Sequence, residues 1–183
     1  LAAGDTGHVG FRVVAFGLGG LEDHPVLVGL GALATSVTVT GFYMLMVEIW
    51  RVRFGENRKS IYWFLLSMGV LRLVFMTFPG NDWGQIVPPQ AFSYIRNSFL
   101  TILGVGIAVL FLRDGLANDE RMYVNIAYAM FASYLFYIPV ILFVQQVPML
   151  GMLMIPKTIA YLAMAFIGYR RIFVMRNPKG RDS

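Results

Sequence analysis

The positively charged residues of this chain lie mainly in short stretches that separate long apolar runs. Eleven of the fifteen Lys and Arg residues fall within three stretches, 51–59, 113–121 and 170–181. Membrane insertion retains Lys and Arg on the cytoplasmic side, so basic clusters between apolar runs are typical of a chain that crosses a bilayer several times. We therefore expect an all-α integral membrane protein.

The composition agrees with this class and excludes others. Hydrophobic residues make up 57% of the 183-residue chain and charged residues only 14%. A soluble core of this size cannot bury so much apolar surface, whereas a bilayer removes it from water directly. The formal net charge is +5, but the excess lies in short loops beside apolar runs, which indicates topology and attraction to anionic lipid rather than nucleic-acid binding. Cysteine is absent, which excludes disulfides and thiolate chemistry.

Five apolar runs are long enough to cross about 30 Å of hydrocarbon, which takes roughly 20 helical residues. The predicted transmembrane helices are 27–50, 61–79, 91–112, 122–144 and 150–169. The connections at 80–90 and 145–149 contain no Lys or Arg, so we place both of them outside. Residues 1–183 are expected to form a single membrane domain.

These outer connections determine the orientation of the whole chain. The amino terminus is expected outside and the tail at 170–183 in the cytoplasm, in the inner (plasma) membrane. The predicted positions of Trp50, Trp63 and Trp83 at the membrane boundaries agree, because amphipathic rings prefer the interface. For an outside amino terminus we expect that a signal peptide or a further helix precedes Leu1, or that the numbering starts within a longer chain.

The amino-terminal segment, residues 1–24, has its own pattern. The stretch from His8 to Leu21 is apolar but too short to span a membrane, and four glycines between Gly10 and Gly20 weaken it as an isolated helix. We expect a short interfacial or re-entrant helix on the outer face. The alternative is that this stretch is the end of a further span.

Three cations lie inside predicted spans, where ionisable residues are costly and often functional. Arg72, Arg96 and Lys157 are seven, five and seven positions from the outer ends of their spans. At about 1.5 Å per residue, all three are expected roughly 7–10 Å below the outer boundary. No acidic residue of a predicted span shares this depth, because Glu48 is at the inner edge. Lys157 also follows Pro156, which is expected to loosen the backbone hydrogen bonds there.

Two interpretations of these cations remain open at this stage. In the first, Arg96 and Arg72 extend outward to reach Asp82 or lipid phosphates. In the second, Arg72, Arg96, Asn97 and Lys157 contribute to a binding site for an anionic group. That group would be an anionic or amphipathic ligand, a lipid headgroup or a carboxylate on another membrane subunit.

The chain contains no sequence pattern that predicts catalysis. Gly-x-Ser-x-Gly, His-Glu-x-x-His and phosphate-loop motifs are absent, and both histidines, His8 and His24, lie outside the spans. We therefore expect no catalytic residues and no metal site, and the pattern identifies no cofactor. The predicted function is a non-catalytic subunit or binding module of a larger membrane complex. The alternatives are a small transporter or channel for an anionic or amphipathic solute, and the sensory membrane part of a longer receptor.

Overall fold

The computed structural model describes residues 2–55 and 58–170, and every regular element in these ranges is helical. This confirms the predicted all-α class for the described residues. The six α-helices are α1 (Ala2–Gly17), α2 (Pro25–Phe54), α3 (Lys59–Met76), α4 (Gln90–Ala117), α5 (Arg121–Phe143) and α6 (Met154–Tyr169). Short 3₁₀ helices, Pro79–Asn81 and Pro148–Leu153, precede α4 and α6. The predicted cytoplasmic tail lies outside the described residues, apart from its first residue.

Within the described ranges, five helices are long and apolar enough to cross a membrane, as the sequence predicted. They are Pro25–Phe54, Lys59–Met76, Gln90–Ala117, Arg121–Phe143 and Met149–Tyr169. The predicted ends differ by up to five residues: α4 continues to Ala117 rather than 112 and α2 to Phe54 rather than 50, whereas α3 ends early, at Met76 rather than at residue 79. The reason is local: Phe78 has extended backbone angles, as a residue before a proline prefers, and Pro79 then begins the 3₁₀ helix.

The first of two compact units comprises residues 1–103. Within it α1 packs against α2, and α2 packs against α3. The turn between α1 and α2 contains Gly19 and Gly20 at φ +131° and +143°, a backbone conformation that L side chains rarely adopt. Tyr43 and Trp50 of α2 are fully buried.

The second unit comprises residues 104–183. Here α5 packs against α6, and the 3₁₀ helix that precedes α6 lies against both of them. Gly104 allows the close approach of Tyr134, because a Cβ atom at this position would overlap the tyrosine ring. Phe111 and Met130 are fully buried. The expectation of one membrane domain over the whole chain stays a prediction.

Candidate functional site

Arg72 joins three helices of the first unit. It lies four residues before the end of α3 and is 1% exposed. Its Nε donates a hydrogen bond to the backbone carbonyl of Arg96 on α4, at 3.0 Å. Its Nη1 donates to the backbone carbonyl of Ser36 at 3.1 Å and to Oγ1 of Thr40 at 2.5 Å, both on α2. A single guanidinium group therefore connects α2, α3 and α4.

Small residues on α2 and α3 make this arrangement possible. A Cβ atom at Gly69, one turn before Arg72, would lie 2.6 Å from the side chain of Met44, so the two helices approach closely here. The Thr40 hydroxyl donates to the Ser36 carbonyl at 2.7 Å, which leaves its oxygen free to accept from Arg72. The flat guanidinium group suits such a site, because its donors point in several fixed directions at once.

Arg96 has a different environment on α4, although it is also buried, with 6% exposure. Its Nη1 donates a hydrogen bond to Oδ1 of Asn81 at 2.9 Å. Its guanidinium carbon lies 4.4 Å from the ring centroid of Trp83, which is within the range of a cation–π interaction. Both partners belong to the connection between α3 and α4.

This connection, residues 77–89, also caps the end of α3. Asn81 Nδ2 donates to the carbonyls of Phe75 at 2.6 Å and Phe78 at 3.1 Å, and the Trp83 indole N–H donates to the carbonyl of Met76 at 3.0 Å. The last carbonyls of a helix have no partner within the helix, so side chains of the connection satisfy them here.

The same connection lies directly against α2. A Cβ atom at Gly29 would overlap the backbone carbonyl of Trp83, so only glycine fits the observed separation. We call Arg72, Arg96, Thr40, Asn81 and Trp83 the arginine cluster. Its hydrogen-bond acceptors named above are neutral oxygens, which orient the two guanidinium groups without cancelling their positive charges.

Asn97, the residue after Arg96, was predicted to assist in binding. It is 8% exposed, and its Nδ2 donates to Oγ of Ser93, one turn earlier on α4, at 3.3 Å. The structure therefore brings Arg72 and Arg96 into one hydrogen-bonded network and places Asn97 beside it in the chain.

Lys157 belongs to the second unit and lies in the first turn of α6, with 7% exposure. Its Nζ is 3.7 Å from the ring centroid of Tyr137 on α5 and 5.5 Å from that of Tyr161 on α6. We call these three residues the lysine site. The faces of the two phenol rings stabilise the ammonium group through cation–π interactions.

The structure gives Pro156 a different role from the one expected. It lies in the first turn of α6, where backbone N–H groups lack a partner within the helix in any case. Proline is tolerated at such positions, so Pro156 shapes the start of α6 rather than weakening the middle of a helix.

Several partners of these cations were missed by the sequence reasoning. In one of the two interpretations Arg96 reaches Asp82 or lipid phosphates, but the Asp82 carboxylate accepts a hydrogen bond from Gln85, and the neighbouring amide of Asn81 contacts Arg96. Arg72 and Arg96 are buried rather than extended outward. One signal was available: Tyr161 lies four residues after Lys157, a spacing that places both on one helix face.

No protein-family model, curated protein or solved structure matches this chain. Among the described residues, no group of three or more His, Asp or Glu side chains is placed to hold a metal ion. Function must therefore be inferred from the chemistry of the arginine cluster and the lysine site.

Proposed function

We propose that this chain is a multi-pass membrane protein in which the five long apolar helices cross the bilayer. The support is the exposure of large apolar side chains on every one of these helices, which water would disfavour and lipid would not. Examples, one from each helix in chain order, are Leu45, Phe64, Val109, Leu135 and Leu162.

The proposed orientation places the amino terminus outside and the carboxyl terminus in the cytoplasm of the inner (plasma) membrane. It rests on the basic stretches, which would all lie on one side. Because the chain lacks cysteine, single cysteines can test it in intact cells. Cysteines at Gly84 and Gly151 should react with an impermeant thiol reagent added outside, and one at Ala117 should not. Labelling of a cysteine at Ala117 without permeabilisation would contradict this orientation and support the opposite one.

For its function, we propose a non-catalytic subunit or binding module of a larger membrane complex that binds an anionic group at the arginine cluster. The observation that carries this proposal is the burial of two guanidinium groups within one hydrogen-bonded network. Neutral oxygens fix the directions of the donors named above, and two positive charges held in this way attract negative charge. A carboxylate or phosphate would supply it and would pair with a guanidinium group in two-point geometry.

Within the cluster, Arg96 is the residue we expect to meet this anion. Arg72 already donates to three oxygens on α2 and α4, whereas Arg96 contacts the connection that closes this end of the unit. The anion would be a small ligand, a lipid headgroup or a carboxylate of a partner subunit. Each of these shares the chemistry that a guanidinium group recognises.

Native mass spectrometry of the protein in mild detergent tests this proposal. The wild-type protein should retain an anionic lipid, an anionic small molecule or a partner subunit, and Arg96→Gln should lose it. Arg53→Gln is the matched control, because it removes an exposed arginine of α2 and should retain the bound species.

Equal retention by the wild-type protein and Arg96→Gln would contradict the proposed site. The same measurement separates the alternative functions. A homo-oligomer without a partner subunit would favour a transporter or channel, and a longer native polypeptide would favour the membrane part of a receptor.

A further inference from the structure

The first helix of the chain lies antiparallel to the first half of α2. The Thr35 hydroxyl on α2 donates a hydrogen bond to the backbone carbonyl of Gly4 on α1, at 3.0 Å. Further along, a Cβ atom at Gly7 would lie 3.5 Å from that of Ala34. As residue numbers rise along α1, the residues that they contact on α2 have falling numbers. The two helices therefore form a hairpin whose turn is at residues 18–24.

Small residues set both the closeness and the register of this hairpin. A Cβ atom at Gly31 would lie 3.1 Å from Cα of His8, so the two backbones nearly touch. Such contacts between small residues are how helices associate within lipid, where burial of apolar surface gives no contrast. Thr35 is ten residues from Pro25, or about 15 Å along α2, which is half of a hydrocarbon layer of about 30 Å.

The face of α1 that points away from α2 carries exposed apolar side chains. Val9, Val13 and Phe16 are 58–68% exposed and lie one above another at helical spacing. Gly7 and the fully buried Ala15 lie on the opposite face, toward α2. A helix lying flat on a membrane would turn its opposite face to water, whereas this one turns it to another helix.

We infer that α1 lies inside the bilayer leaflet that surrounds the first half of α2, with lipid acyl chains covering Val9, Val13 and Phe16. This inference rests on the proposed membrane insertion of α2. It places the axis of α1 beside that of α2, across this leaflet instead of along the membrane surface. The turn at 18–24 is then on the outer side, and Gly4, which Thr35 contacts, is near the middle of the bilayer. The inference therefore revises the outside position proposed for the start of the chain. The exposed Arg12 agrees with this placement. The register of the hairpin puts it beside Val28, near the start of α2, and from there its long side chain can reach the interface between membrane and water.

Spin labels on single cysteines would measure this placement in the full, otherwise cysteine-free chain. The register pairs Val9 with Leu30 and Val13 with Val26 at equal depths, and all four side chains are exposed. Labelled protein in vesicles of phosphatidylcholine and phosphatidylglycerol is exposed to oxygen, which concentrates in lipid, and to a nickel chelate, which stays in water. Labels within a pair should report the same depth, and the Val9 pair should lie deeper than the Val13 pair by four residues, about 6 Å.

The two positions on α2 separate the possible failures. If Val9 and Val13 report one shallow depth while Leu30 lies deeper than Val26, α1 lies along the surface and the inference is wrong. If the nickel chelate reaches all four labels freely, α2 is not in the bilayer, and the proposed membrane insertion fails as well.

Discussion

The arginine cluster and the lysine site bury the same charge in different ways. Arg72 and Arg96 direct their donors at backbone carbonyls, a hydroxyl and an amide oxygen. Lys157 instead places its ammonium group against the faces of Tyr137 and Tyr161. The first environment depends on direction, since each hydrogen bond named above joins a particular nitrogen to a particular oxygen. The second depends on proximity, because a ring face attracts a cation over a broad range of angles.

This difference predicts that the two sites tolerate different substitutions. A directional network should fail when the charge is kept and the geometry is changed. An aromatic contact should fail when the ring is lost, and should matter little once the charge itself is gone.

The largest effect is expected from Arg72→Lys. A single ammonium group cannot reach the Arg96 carbonyl together with Ser36 and Thr40, so we expect a loss of about 2–3 kcal/mol in the free energy of unfolding. Denaturation of the protein in mixed detergent micelles measures it. Arg53→Lys, the same change at an exposed position, should stay within about 0.5 kcal/mol of the wild-type protein. Equal stability of Arg72→Lys and the wild-type protein would show that the network does not depend on direction.

An intermediate effect is expected at the lysine site. Tyr137→Leu should lower the free energy of unfolding by about 1–2 kcal/mol more in the wild-type protein than in a Lys157→Met background. The reason is that the cation–π interaction exists only when both groups are present. Lys157→Met alone should be mild, since it removes a buried charge and fills similar space. A coupling energy near zero in this double-mutant cycle would show that the aromatic rings do not stabilise the buried ammonium group of Lys157. Loss of a bound subunit or ligand in Lys157→Met would instead assign the residue a binding role.

The smallest effect on stability is expected from Arg96→Gln, at about 1 kcal/mol. The substitution loses the contact with the Trp83 ring but keeps a side chain that can hydrogen-bond with Asn81. Combining it with Trp83→Leu should give a coupling energy of about 0.5–1 kcal/mol in the same denaturation experiment. Strictly additive effects would mean that the ring contributes packing alone.

The sequence predicted the helices well because hydropathy adds up over about 20 residues and tolerates errors at the ends. The end of α3 lies three residues before the predicted end, because the backbone before Pro79 is extended. The number of long apolar helices is unaffected. The same reasoning selected Arg72, Arg96 and Lys157, since an isolated cation in an apolar run is visible without knowledge of its neighbours.

The sequence does not predict which residues contact these cations, and the reason is physical. Asn81 and Trp83 belong to a connection without periodicity, and Asp82 between them has a positive φ of 43°. Charge alone favoured Asp82 as the partner of Arg96, but the backbone of the connection presents Asn81 to it. Thr40 carries no charge that would single it out in the sequence, although its hydroxyl accepts from Arg72.

Asn81 has two roles in one amide group, and they cannot be separated. Its nitrogen donates to the carbonyl of Phe75 in the last turn of α3 and to that of Phe78 just after it, and its oxygen accepts from Arg96. Fraying of the last turn of α3 would therefore displace an acceptor of Arg96, and capture of Arg96 by an incoming anion would take this donor away from the amide oxygen of Asn81. The hydrogen bonds of this one amide group therefore couple the order of the end of α3 to the position of the guanidinium group on α4.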